Sequence, residues 1–148
     1  LGVVEPDAPL SGGAHDRAFG DRPSWPARGD DVLESVRRAM ELAQASGVGL
    51  QIENRNVPLT NGARRYAEKG FFPGGAFDNM KYFGGNVKFS EAINEPAQML
   101  LYDPQTSGGL LLGVPPEKLD AFEERTQSLG QAMWVIGSVV TGAGIEVR

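Results

Sequence analysis

Apolar residues recur at helical spacing from Asp30 to Ser46. Val32, Val36, Ala39, Met40 and Ala43 lie on one stripe, which predicts an amphipathic helix. Asp30 or Asp31 can cap its start, and Gly47 marks its stop. Arg37 and Arg38 fall mostly outside the stripe and read as solvated. The period then changes: Val48-Gly49-Leu50-Gln51-Ile52 alternates and predicts a strand. Thr60 can cap a shorter helix that ends near Gly70. Between Phe71 and Phe89 the pattern reads as loop-rich. Pro73-Gly74-Gly75 bends the chain, and a helical turn or two carries Phe77, Met80 and Tyr82 toward the core. Val87 to Phe89 reads as a short strand. Pro96 confines the next helix to a start near Asn94 or Glu95, with proline in its first turn.

Leu110 to Val114 reads as a buried strand, apolar on both faces. Pro115 and Pro116 open a helix that Gly130 closes. Leu119, Phe122, Thr126 and Leu129 trace its inner face, and Glu123, Glu124 and Arg125 its solvated side. Met133 to Val140 and Ile145 to Val147 supply two last strands, joined by a turn over Thr141-Gly142-Ala143-Gly144. Strands alternating with helices predict an α/β (α+β) architecture, a mixed sheet covered by helices. The first residues differ: Pro6, Pro9, Pro23 and Pro26, with Gly2, Gly12, Gly13 and Gly20, break any period. Residues 1–28 are therefore expected to form a flexible leader or linker, parts of which Phe19 and Trp25 can pin, and residues 29–148 a single domain. Because the chain opens with Leu1 rather than Met, it reads as a fragment of something longer.

Composition narrows the classes of function. A chain of 148 residues with 41% hydrophobic and 22% charged residues suits one soluble domain. A net charge of -5 argues against nonspecific nucleic-acid binding. With no apolar run near the roughly 20 residues of a membrane helix, no membrane partner is expected and the cytoplasm is the default location. Zero cysteines exclude disulfides, thiolate metal sites and a cysteine nucleophile. His15 is the single histidine and reads as a solvated loop residue. Any metal would need carboxylate ligands, as Mg²⁺ takes beside phosphates. No nucleophile–base spacing and no P-loop is present, so no catalytic or metal-ligating residue is assigned.

Two glycine-rich segments carry what chemistry there is. Asp103-Pro104-Gln105-Thr106-Ser107-Gly108-Gly109-Leu110-Leu111 joins a turn-forming Asp-Pro to small polar side chains and paired glycines. Such a run makes either a capped turn before a core strand or a loop shaped to meet a phosphate or another domain. Phe72-Pro73-Gly74-Gly75-Ala76-Phe77-Asp78-Asn79, with Tyr82-Phe83-Gly84, lies about thirty residues upstream. Its glycines read either as turns or as backbone amides beside Asn79 on a polar surface.

These segments, with Met40-Glu41-Leu42-Ala43, Ala45-Ser46-Gly47-Val48 and Trp134-Val135-Ile136-Gly137, resemble the C-terminal domain of the selenophosphate synthetases (selenide, water dikinases). That family is similar to the aminoimidazole-ribonucleotide synthetase group, and the matched blocks run in its order from about Asp31 to Arg148. The resemblance implies two α/β domains per subunit, the N-terminal one catalytic and forming most of the dimer and the ATP site. It implies a homodimer, ATP and Mg²⁺ as cofactors of the full-length enzyme and none for this domain alone. It also implies a reaction that consumes ATP, selenide and water and yields selenophosphate, AMP and phosphate. Asp103, Gln105, Thr106, Ser107, Gly108 and Gly109, with Gly74, Gly75 and Asn79, then become candidates for the interdomain surface or nucleotide cleft. Where the family carries an Asp-Val-Thr-Gly-Phe-Gly block and a Gly-His pair, this chain has Arg28-Gly29-Asp30-Asp31-Val32-Leu33-Glu34-Ser35-Val36-Arg37. That departure leaves open a non-catalytic relative acting as a binding or regulatory module. A third reading is a synthetase acting on a purine or thiamin precursor.

Overall fold

A computed structural model describes residues 2–4, 35–104 and 109–148. Among the described residues seven strands form two sheets. The larger contains β2 (Gly49–Ile52), β3 (Val87–Phe89), β6 (Gly137–Val140) and β7 (Gly144–Val147), in the order β3-β7-β2-β6. The smaller contains β1 (Gly2–Val4), β4 (Leu110–Leu112) and β5 (Met133–Val135), in the order β4-β1-β5. Among the described residues five α-helices accompany them: α1 (Ser35–Ser46), α2 (Ala63–Glu68), α3 (Gly74–Phe83), α4 (Glu95–Leu101) and α5 (Pro116–Ser128). The expected α/β class with a mixed sheet is what the structure shows. In the larger sheet β2 runs parallel to β7 and antiparallel to β6, and β3 runs parallel to β7.

Alternation in the strands sets which face of the larger sheet is covered. Leu50 and Ile52 of β2 and Ile145 and Val147 of β7 are buried in one cluster with Val36, Ala39, Met40 and Ala43 of α1. The other face carries a cross-strand row, Lys88, Glu146, Gln51 and Ser138, in direct register. Val36, Ala39, Met40 and Ala43 of the predicted stripe are thus the buried stripe of α1; Val32 and the candidate caps Asp30 and Asp31 lie outside the described residues.

Several expectations are corrected. Met133 to Val140 does not form one strand: the chain breaks at the fully buried Ile136, sending β5 into the smaller sheet and β6 into the larger. Nor is the last pair a hairpin, because β2 lies between β6 and β7. The Thr141–Ala143 turn crosses the start of β2, where a Cβ on Gly49 would meet Val140 Cγ2 at 3.2 Å and Ala143 N at 3.4 Å. β4 is not apolar-buried on both faces: Leu110 is 55% exposed at a sheet edge. Leu129 is also exposed, so the inner face of α5 rests on Leu119, Phe122 and Thr126. Thr60 does not cap α2; Gly62 does, at φ 88°, while the Thr60 carbonyl accepts from Ala63 N at 3.0 Å. Residues 2–4 form the middle strand of the smaller sheet, so the leader reading fails for them. Residues 5–34, with Phe19 and Trp25, lie outside the described residues.

At Gly137 a Cβ would fall well inside van der Waals contact with the Gln51 carbonyl oxygen, a backbone atom that cannot swing aside. Gly137→Ala should therefore destabilise the chain by about 2 kcal/mol or more. Gly113→Ala, where a Cβ meets nothing within 4 Å, should stay within about 0.5 kcal/mol of the parent. Urea midpoints of the two variants check this.

Candidate functional site

The two glycine-rich segments meet in the structure. Pro73, at φ -67° and ψ 149°, precedes α3 in extended conformation, and its carbonyl accepts from Ala76 N at 3.0 Å. Proline pre-sets that φ, so the helix begins at Gly74. Gly75 then lies against Pro104: a Cβ there would sit 2.8 Å from Pro104 Cγ and 3.2 Å from its Cβ. Only a residue without a side chain allows this approach. One turn along α3, Asn79 Nδ2 donates to the Tyr102 carbonyl at 2.9 Å. Gly75 and Asn79, four residues apart on one helix face, thus grip the segment from Tyr102 to Pro104.

α4 delivers that segment. Asn94 Oδ1 accepts from Ala97 N at 3.0 Å and caps the helix, with Pro96 in the first turn, as its sequence predicts. Gln98 Nε2 donates to the Ile93 carbonyl at 2.8 Å and ties α4 to the preceding turn. The helix ends at Leu101, and Asp103 N donates back to the Leu100 carbonyl at 3.3 Å. Tyr102 is buried and meets the Phe89 ring edge-on, with centroids 5.9 Å apart. Burial pushes its phenol above the ordinary value of 10.0.

Among the candidate residues, Gly75, Asn79 and Asp103 are brought together. Gly74 is exposed, with open space where a Cβ would stand. Gly109 is half-buried where the chain enters β4. Gln105, Thr106, Ser107 and Gly108 lie outside the described residues. Sequence reasoning missed the partners of Gly75 and Asn79, namely Pro104 and the Tyr102 carbonyl. It also underestimated α3, a ten-residue helix rather than a turn or two. Phe77, Met80 and Tyr82 do not reach the core: they are 49%, 40% and 79% exposed, and Phe71 is 66% exposed nearby in the chain. The small residues Gly75, Ala76 and Asn79 were the available signal for the packed face, with Ala76 fully buried. Among the described residues no group of three or more His, Asp or Glu could hold a metal ion. No helix among them is long and apolar enough to cross a membrane.

Residues 36–148 match the family model described as AIR synthase related protein, C-terminal domain. The chain belongs to this family. The match begins within α1 and covers every later element. Within the family the chain is similar to "Selenide, water dikinase 2" of Peptoclostridium acidaminophilum, 38% identical over 104 residues, which are 70% of this chain and 30% of that protein. It is also 39% identical over 102 residues to "Selenide, water dikinase" of Clostridioides difficile, covering 68% of this chain and 29% of that one. The resemblance read from the motifs to the C-terminal domain of the selenophosphate synthetases is therefore shown by comparison. The chain spans about 30% of the length of these curated relatives. Thiamine-monophosphate kinase from Stenotrophomonas maltophilia shares the fold, with a TM-score of 0.51 over 80% of this chain and 30% of that one, at 16% identity.

Gly75→Ala should cost about 1–3 kcal/mol, because the new Cβ must push Pro104 away. Asn79→Ala should cost about 1 kcal/mol through the lost bond to the Tyr102 carbonyl. Amide exchange at Tyr102 and Asp103 should accelerate in both variants. A second expectation concerns pH. The native state holds the Tyr102 proton more tightly than the unfolded chain does. This stabilisation is complete below pH 10 and is lost as pH rises through the raised native value. Tyr102→Phe should flatten the alkaline limb of stability measured by thermal melting.

Proposed function

We propose that this domain is the C-terminal part of a selenophosphate synthetase and completes the ATP cleft of a larger enzyme. The carrying observation is the convergence of its two signature segments, Gly75 on Pro104 and Asn79 on the Tyr102 carbonyl. The relatives to which the chain is 38% and 39% identical are named selenide, water dikinases and are about three times longer than the matched region. In this reading Gly74, Gly75, Asn79, Asp103 and Gly109, with Gln105, Thr106, Ser107 and Gly108, face the N-terminal catalytic domain. The exposed side chains of Phe77, Met80 and Tyr82 suit contact with that domain, since uncovered apolar surface marks interaction sites.

The chemistry divides accordingly. Phosphoryl transfer from ATP requires metal ions to neutralise developing charge. ATP and Mg²⁺ would be held mainly by the other domain, because the described residues here provide no carboxylate cluster for a metal. The contribution of this chain is positional. Clustered backbone amides and small polar side chains close one wall of the cleft without supplying a nucleophile. Selenophosphate, AMP and phosphate would be the products of the assembled homodimer.

A second reading has one observation in its favour. Arg28 to Arg37 lacks the Asp-Val-Thr-Gly-Phe-Gly block and the Gly-His pair of the family, which suits a non-catalytic binding or regulatory relative. The two readings separate in one assay. The chain alone should show no selenide-dependent conversion of ATP to AMP. Joined in frame to the N-terminal portion of the Clostridioides difficile enzyme, it should turn over, and Gly75→Ala should lower that rate by ~10-fold or more. A soluble, folded chimera without turnover, or one indifferent to Gln105→Ala and Ser107→Ala, would favour the non-catalytic module.

A further inference from the structure

We propose that α2 and the cleft beside it form a docking site for an acidic segment of a partner protein, a site separate from the signature loops. Between Asn54 and Phe71 the chain carries Arg55, Arg64, Arg65 and Lys69 against Glu68 alone, although its net charge is -5. All four cations are exposed. Arg37 and Arg38 pair with Glu41, and Arg148 with Glu146. By contrast, Arg55, Arg64 and Lys69 form no ion pair with any described residue. A concentration of unmatched positive charge on an acidic protein attracts a complementary surface and steers its approach.

The local geometry narrows the partner. A cleft of about 50 Å³ is bordered by Asn54, Leu59, Arg64, Glu68, Asn94 and Leu100. Ligand pockets for whole small molecules run to about 300 Å³ or more, so this one accommodates the end of a single side chain. Arg64 with the two asparagine amides suits a carboxylate, and Leu59 and Leu100 suit the methylenes behind it. Glu68 lies in the same lining, four residues from Arg64. Its carboxylate repels an incoming one, so the attraction rests on the excess of Arg55, Arg64, Arg65 and Lys69 over this single acid.

Beside the cleft, the exposed Tyr66 and Phe71 rings stand edge to face at 6.4 Å, with the Arg65 guanidinium 5.4 Å from the Tyr66 centroid. Arginine and tyrosine dominate the binding energy of protein interfaces, and mutual stacking holds these side chains ready. A nucleic acid fits less well. The cleft takes one carboxylate-sized group rather than a phosphate track, and the remainder of the chain is acidic.

Fluorescence anisotropy on the full chain tests this, with a labelled peptide of alternating Glu and Leu as probe. The acidic peptide should bind, more weakly as ionic strength rises, and its Gln–Leu counterpart should not. Arg64→Gln should weaken binding by ~10-fold, while Arg125→Gln on α5 leaves it unchanged. Thermal melts should be unaltered in both, because both side chains are exposed. Equal binding of the Glu and Gln peptides would overturn the proposal. So would indifference to Arg64→Gln, or tighter binding of labelled oligothymidylate than of the acidic peptide.

Discussion

The seating of β7 between β3 and β2 is the constraint on which the domain depends. It is the last strand of the chain, yet it occupies the interior of the larger sheet and runs parallel to both neighbours. Arg148 N donates to the Ile52 carbonyl at 2.9 Å, and the Arg148 carbonyl accepts from Asn54 N at 2.9 Å. Ile145 and Val147 then complete the cluster under α1. Parallel pairs need crossovers and form late, since loop closure precedes any reward from contact. The larger sheet is therefore joined across β3 and β2 only through residues 144–147.

The glycines that permit this closure also connect the fold to the site. Gly137 lets the chain leave one sheet and enter the other against the Gln51 backbone. Gly144, at φ 82°, starts β7 where a Cβ would meet the Asn86 carbonyl at 2.8 Å. Asn86 ends the short 3₁₀ turn between α3 and β3. α3 is thus set at its C-terminal end by the sheet and along its face by Tyr102 and Pro104. Side chains pointing away from those anchors, Phe77 and Met80 among them, are left exposed, although the Phe77 ring meets Phe72 edge-on at 6.2 Å.

Much of this was legible along the chain. The stripe of α1, the alternation of β2, the Asn94 cap with Pro96, and the Pro116 start and Gly130 stop of α5 are local signals, and each appears in the structure. The site was legible as composition: both signature segments were visible, and resemblance identified their family. Their contact was not. Nothing in the spacing of Gly75 and Pro104 says that twenty-eight intervening residues fold so that the two touch. The burial of aromatic residues was also misjudged, because a large apolar side chain is drawn inward only where another element offers a surface.

The sequence alone determined element type, helix ends and the chemistry available at the loops, since these depend on neighbours within a few residues. Tertiary structure decided the partition of Met133 to Val140 between two sheets, the insertion of β2 between β6 and β7, and the place of residues 2–4 between β4 and β5. It also decided that Gly75 and Asn79 face the segment ending in Pro104. The reason is physical. Backbone propensity acts over one or two turns, whereas strand order and close backbone approach are settled by which distant surfaces exclude water together.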